Sequence, residues 1–202
     1  MAALINELNS KEDTHILTIK DPVEFVHVSQ RALVNQREVK RDTKSFNAAL
    51  KSALREDPDC ILVGEMRDLE TIKLALEAAE TGHLVLGTLH TMSAIKTVDR
   101  VISVFPPAEQ ELVRNMLAES LTIVISQRLL KRKGGGRVAS YEVLIANSGI
   151  RNMIKENKLP QIYTSLQTGS AKGMITMDQS IENLLKAGKI TPEEAAKYIV
   201  VR

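Results

Sequence analysis

Three short apolar runs in this chain end in side chains that could act on a phosphate. Cys60-Ile61-Leu62-Val63 stops abruptly at Gly64-Glu65-Met66-Arg67-Asp68, so an acid, a guanidinium and a second acid follow a glycine. His15-Ile16-Leu17-Thr18-Ile19 is followed by Lys20 and then Asp21-Pro22-Val23-Glu24, and His83 and His90 bracket a third run. One carboxylate can orient a water or accept its proton, and another can hold Mg²⁺ through its water shell. A histidine can donate a hydrogen bond to a phosphate oxygen. In-line phosphoryl transfer needs this equipment. The same residues admit plainer uses: polar strand ends for the two histidines, helix capping for the acids near Asp21, or a zinc site from His83, His90 and a carboxylate.

The elements that must position these groups follow from periodicity. The three runs read as strands, and the third, nearly all apolar at its centre, is expected to be covered by helices on both faces. Helices are predicted between them. One opens the chain with Leu4, Ile5 and Leu8 on one face. One has Thr43 as cap and Phe46, Leu50 and Leu54 buried. One is capped by Asp68, carries Leu69, Ile72, Leu76 and Ala79, and ends at Gly82. Val23 to Lys40 reads as irregular, with a short strand near Leu33-Val34. Alternating strands and helices argue for a three-layer α/β domain with a mostly parallel sheet. In such a sheet the carboxyl ends of the strands share one edge, so Glu24, Glu65 and His90 could converge there.

Further along, Ser93 is expected to cap a helix to about Val101, and Phe105-Pro106-Pro107 breaks the chain before a helix with Val113, Met116, Leu117 and Leu121. Val124 to Leu130 and Val138 to Leu144 flank Lys131-Arg132-Lys133-Gly134-Gly135-Gly136-Arg137, a hairpin loop. From Asn147 the pattern is three or four short helices, the last with Thr191 as cap, Pro192 at its first position and Glu194 reaching back as a capping box. The expected domains are an α/β core over 1–146 and a helical appendage over 147–202.

Composition narrows the function classes. Lys and Arg total 27 against 25 Asp and Glu, and no basic block is interleaved with aromatics, which gives no support for nucleic-acid binding. The single cysteine, Cys60, allows neither an internal disulfide nor a cysteine-based zinc site and fits a reducing compartment. No apolar stretch is long enough to span a bilayer. The chain opens in mid-helix without a cap or a signal-peptide pattern, so upstream sequence is expected to be missing.

The residues resemble the type IV pilus and type II secretion ATPases, and among them the twitching-motility retraction motors, over roughly residues 1 to 185. Ile16 to Phe25 is similar to the family's aspartate box, Ala53 to Asp68 to its Walker B segment, and Thr81 to Thr91 to its histidine box. The resemblance implies a RecA-like fold, a hexameric ring and hydrolysis of ATP with Mg²⁺. It implies Glu24 as water activator, Glu65 as holder of the Mg²⁺ shell and His90 as sensor of the γ-phosphate. Asp21 and His83 would support the nucleotide site, and Arg67 would either neutralise phosphate charge or fix Glu65. It also implies a cytoplasmic protein working peripherally at the inner membrane, on a pilus platform protein. Gly149-Ile150-Arg151-Asn152-Met153-Ile154-Lys155-Glu156 is similar to a motif of the retraction motors, and one cysteine cannot make the four-cysteine zinc insertion of assembly motors. Two departures stand out. No Gly-x-x-x-x-Gly-Lys-[Ser/Thr] occurs in the 202 residues, so the chain alone is expected to be inactive. Lys20 also stands where the family usually has glutamate, where it would repel Mg²⁺ or attract a phosphate. Both departures suit the alternative of a non-catalytic ring partner.

Overall fold

Side chains alternate across a strand, and the two central strands show what each face meets. The structure, a computed structural model, describes residues 1–199. Leu17 and Ile19 of β1 (His15–Lys20) and Ile61 and Val63 of β3 (Cys60–Val63) join one apolar cluster with α2 (Phe46–Ala53) and α3 (Leu69–Glu80). Their neighbours Ile16, Cys60 and Leu62 join another with Ile5 and Leu8 of α1 (Ala2–Lys11). The expected three layers therefore form around these two strands. β2 (Leu33–Glu38) and β4 (Leu84–Gly87) complete a parallel sheet in the order β2-β1-β3-β4. The register pairs Lys20 with Glu38, Ile19 with Val63 and Val63 with Gly87, which aligns the carboxyl ends of all four strands along one edge.

Several local expectations are corrected. β2, expected as a short strand near Leu33-Val34, runs six residues from there. Its Asn-Gln-Arg-Glu half is polar because it is an edge strand whose side chains hold a neighbouring loop. β4 is the other edge, so Leu84 is 46% exposed, while Val85 packs against the first cluster and Leu86 against the second, each only partly buried. Ser45, not Thr43, caps α2, accepting from Ala48 N at 3.1 Å. On α1 Leu4 is exposed, while Asn9 is buried and satisfied, donating to Val28 O at 2.8 Å and accepting from Gln30 N at 2.9 Å. α3 buries Ala78 in place of Ala79 and ends as expected: Gly82, at φ 101°, donates to Ala79 O while His83 N donates to Ala78 O.

Asp68 caps α3, accepting from Thr71 N at 2.8 Å and Thr71 Oγ1 at 2.9 Å. Burial would raise its carboxyl pKa, but these bonds outweigh it and the value lies below the usual aspartate range. A depressed folded-state pKa contributes stability above the unfolded value and loses it as pH falls through the folded value. Asp68→Ala is accordingly expected to cost about 1 kcal/mol at neutral pH. In urea titrations the difference from wild type should shrink on acidification below the usual aspartate range.

The chain divides into two compact units, Met1–His90 and the residues from Thr91 onward. The second holds α4 (Ala94–Ser103), α5 (Gln110–Ser120), the antiparallel hairpin of β5 (Ile123–Lys131) and β6 (Arg137–Ile145), and the short helices α6 (Ser148–Lys155), α7 (Ile162–Thr168), α8 (Met177–Lys186) and α9 (Pro192–Ala196). The division expected after Ala146 does not coincide with this one. The hairpin packs Leu130 and Val138 against Met177, Ile181, Ile190 and Ala195, so strands and helices share a core. Residues 200–202 of the expected appendage lie outside the described residues. Thr191 caps α9, but Glu194 does not reach back to it; its carboxylate accepts from Lys131 N at 2.9 Å, at the hairpin's end. The full capping box is at Thr176 and Gln179. Among the described residues, no helix is long and apolar enough to cross a membrane.

Candidate functional site

Three loops leave the carboxyl edge of the sheet, and backbone bonds lock them together. After β3, Gly64 N donates to Ile19 O at 2.8 Å, and Met66 N donates to Thr88 O at 3.0 Å. Thr88 Oγ1 donates to Gly64 O, tying the loop after β4 to the loop after β3. A Cβ on Gly64 would lie 2.8 Å from Ile19 O, so only glycine lets the ends of β1 and β3 approach this closely. Gly64→Ala is expected to cost about 2 kcal/mol through the forced backbone shift, read as a lower denaturation midpoint. The loop after β1 is held from β2: Glu38 accepts from Val23 N at 2.9 Å, Gln36 accepts from His27 N at 2.7 Å, and Gln36 donates to Phe25 O at 3.0 Å.

These loops enclose a cavity of about 370 Å³, lined by Thr18, Lys20, Asp21, Glu24, Gly64, Glu65, Thr88 and His90, with His27 and Gln36 beside them. Glu65 is the hub. Its side chain is 17% exposed, and Oε1 accepts from His90 Nε2 at 2.9 Å and from Arg67 Nε. The Arg67 hydrogen bond, opposed by partial burial and helped by His90, holds the Glu65 carboxyl below the usual range, so it is an anion at neutral pH. Glu24 is 73% exposed and accepts from Lys20 Nζ at 2.8 Å, which likewise holds its carboxyl down. His27 is pushed down, first by burial and then by Lys20, and keeps a neutral ring at physiological pH.

Of the residues singled out from sequence, Asp21, Glu24, Glu65 and His90 line this one cavity, and Arg67 joins it through Glu65. His83 does not. It precedes β4, at the amino edge of the sheet, and its Nδ1 sits 2.9 Å from Ala78 O and 3.1 Å from Thr81 Oγ1, at the end of α3. Thr18, His27, Gln36 and Thr88 were not expected in the site. Thr18 is 2% exposed, and its hydroxyl has no hydrogen-bond partner among the described residues. Cys60 takes no part: its thiol lies inside β3 and is pushed up to about 11, by burial first and Asp59 second.

Residues 1–196 match the type II/IV secretion system protein family. The chain belongs to this family. It is 63% identical over 198 residues to a twitching motility protein of Neisseria gonorrhoeae, covering 98% of this chain and 53% of that one. It is 60% identical over 195 residues to the type IV pilus retraction ATPase PilT of Pseudomonas aeruginosa, covering 96% and 57%. A crystal structure of the pilus retraction motor PilT with bound ADP superposes with a TM-score of 0.91 at 54% identity, covering 97% of this chain and 55% of that one. The chain thus spans just over half the length of these relatives, and its fold is RecA-like.

A nucleotide and Mg²⁺, which the family implies, can be tested against the residues present. Among the described residues no three His, Cys, Asp or Glu side chains cluster as a metal site. Mg²⁺ does not need such a cluster, since it keeps several waters and takes one or two carboxylates plus phosphate oxygens. Both bonds to Glu65 fall on Oε1, which leaves Oε2 for a metal-bound water. Thr18 adds a buried hydroxyl in need of a partner. The donor set fits an outer-sphere Mg²⁺ and a phosphate.

Proposed function

We propose that this chain supplies the hydrolysis and force-transmitting part of an ATP-driven motor that retracts type IV pili. The reading is supported chiefly by the convergence of Glu24, Glu65 and His90 on one cavity, at the sheet edge where open α/β folds bind ligands. The identity to retraction ATPases adds the direction of work. Glu24 accepts the proton of the attacking water. Glu65, fixed by Arg67, would hold a metal-bound water through Oε2, the oxygen its hydrogen bonds leave free. His90 bonds Glu65 through Nε2, and its exposed ring would be within the cavity to meet the terminal phosphate. Mg²⁺ when bound neutralises charge on the phosphate oxygens. Asp21 lies at the same rim. Subunits assemble as a hexameric ring that works peripherally at the inner membrane, on the cytoplasmic side, against a pilus platform protein.

The phosphate-gripping loop is not among these 202 residues, so the test joins two pieces. The segment that precedes the matched region in the Neisseria gonorrhoeae relative, fused ahead of Met1, is expected to give a protein that releases phosphate from ATP in the presence of Mg²⁺. The 202-residue chain alone is expected to show neither micromolar ATP affinity nor steady turnover in a nucleotide titration and phosphate-release assay. A folded fusion that stays inert, or a chain alone that turns over, defeats the proposal.

A further inference from the structure

Lys20 is a cation set into a rim of carboxylates. It leaves β1 on the same face as Thr18, and its stem crosses the end of β3 where Gly64 has no side chain: a Cβ there would lie 3.3 Å from both Lys20 Cα and Cδ. The stem is anchored and the side chain only 24% exposed, yet Nζ reaches the cavity and donates to Glu24 Oε2 at 2.8 Å. The partner carboxylate is largely in water, and an ion pair of that kind is a weak hold. A polyphosphate brings several charges and more acceptor oxygens than one carboxylate. Rotation at the far end of the anchored stem can exchange one for the other. The exchange matters at the other end too, because a carboxylate paired with an ammonium is a poorer proton acceptor than a free one.

We propose that Lys20 is a polyphosphate ligand of this cavity, parked on Glu24 until the terminal phosphate arrives, and that its departure frees Glu24 for water. The proposal rests on reading the cavity as a nucleotide site. Only hydrogen bonds change hands: Lys20 Nζ gives up Glu24 Oε2 and donates to a phosphate oxygen, remaining an ammonium throughout.

The test uses the fusion that carries the phosphate loop and inorganic tripolyphosphate, with calorimetry for affinity and NMR shifts at Thr88, Glu65 and His90 for location. Lys20→Gln is expected to weaken binding about tenfold, the worth of one charge-assisted hydrogen bond. Lys20→Arg should keep most of the affinity. Glu24→Gln should tighten binding up to about fivefold by removing the competitor. In the Lys20→Gln background the Glu24→Gln gain should vanish, because there is no longer an ammonium to release. A gain that persists undiminished means that Glu24 acts by simple repulsion and overturns the exchange, as does unchanged affinity in Lys20→Gln. In both of those cases shifts at Thr88, Glu65 and His90 leave the nucleotide reading standing. Tripolyphosphate that moves none of these three residues overturns the exchange and the nucleotide reading together.

Discussion

Glu65→Ala, in the fusion that hydrolyses ATP, is expected to lower the rate of phosphate release by about two to three powers of ten. The size of the effect follows from how many groups this one carboxylate arranges. Oε1 takes both His90 and Arg67, and each of those side chains is otherwise exposed, His90 at 81%. Without the carboxylate, both lose the contact that aims them, and the metal's water shell loses its anchor. Glu65→Gln keeps the shape and one acceptor but not the charge, so it should fall nearly as far. The site's scaffold is independent of this side chain, since the backbone bonds of Gly64 and Met66 and the hydroxyl of Thr88 hold the loops. Both variants should therefore unfold within a few degrees of wild type. A rate within about threefold of wild type at saturating ATP, far short of the loss expected for a removed electrostatic contact, would strip Glu65 of the role given to it.

The legible parts of the fold were those where one residue type repeats against one surface. β1 and β3 are continuously buried runs and α3 buries one face, so all three could be placed from their aliphatic residues alone. β2 could not. Its identity as a strand lies in backbone pairing with β1, while Gln36 and Glu38 spend their side chains on the amides of His27 and Val23. A polar edge strand of that kind looks like a loop in sequence. The apolar centre of β4 packs on both faces as expected, but a strand's composition does not say that it is an edge and only partly buried.

The site was legible for a directional reason. Glu24, Glu65 and His90 all follow strands, and a parallel sheet carries every such position to the same rim. His83, given to the nucleotide site by the family resemblance, precedes its strand, and the same rule sends it to the far edge. Thr18 and Gln36 left no signal. Each lies within a strand, and only the pairing partner and the facing layer reveal that its side chain meets a cavity. Lys20 was visible as a departure from the family pattern, but its pairing with Glu24 depends on the path of the stem over Gly64.

Glu142→Ala is expected to destabilise the unit beginning at Thr91 by about 3 kcal/mol, near the sum of two hydrogen bonds to a buried charged acceptor. Glu142 lies on β6 and is 5% exposed. One oxygen accepts from Ala94 N at 2.7 Å, at the start of α4, and the other faces Met177 N at 3.4 Å, at the start of α8. The first amides of a helix have no partner within it, and they carry the positive end of the helix dipole. Ser93 satisfies a later amide of α4, that of Lys96, so Ser93 and Glu142 divide the work at that terminus. One carboxylate thus stitches a strand to two helices far apart in sequence. Alanine leaves both amides buried without an acceptor. Glu142→Gln keeps an acceptor for Ala94 but loses the charge, and it should cost about half as much. Urea denaturation gives the two losses, and hydrogen exchange at the Ala94 and Met177 amides should accelerate in both variants before global unfolding. A loss under about 1 kcal/mol for the alanine variant, with both amides still protected, would mean that water replaces the carboxylate and that β6 does not pin the two helices.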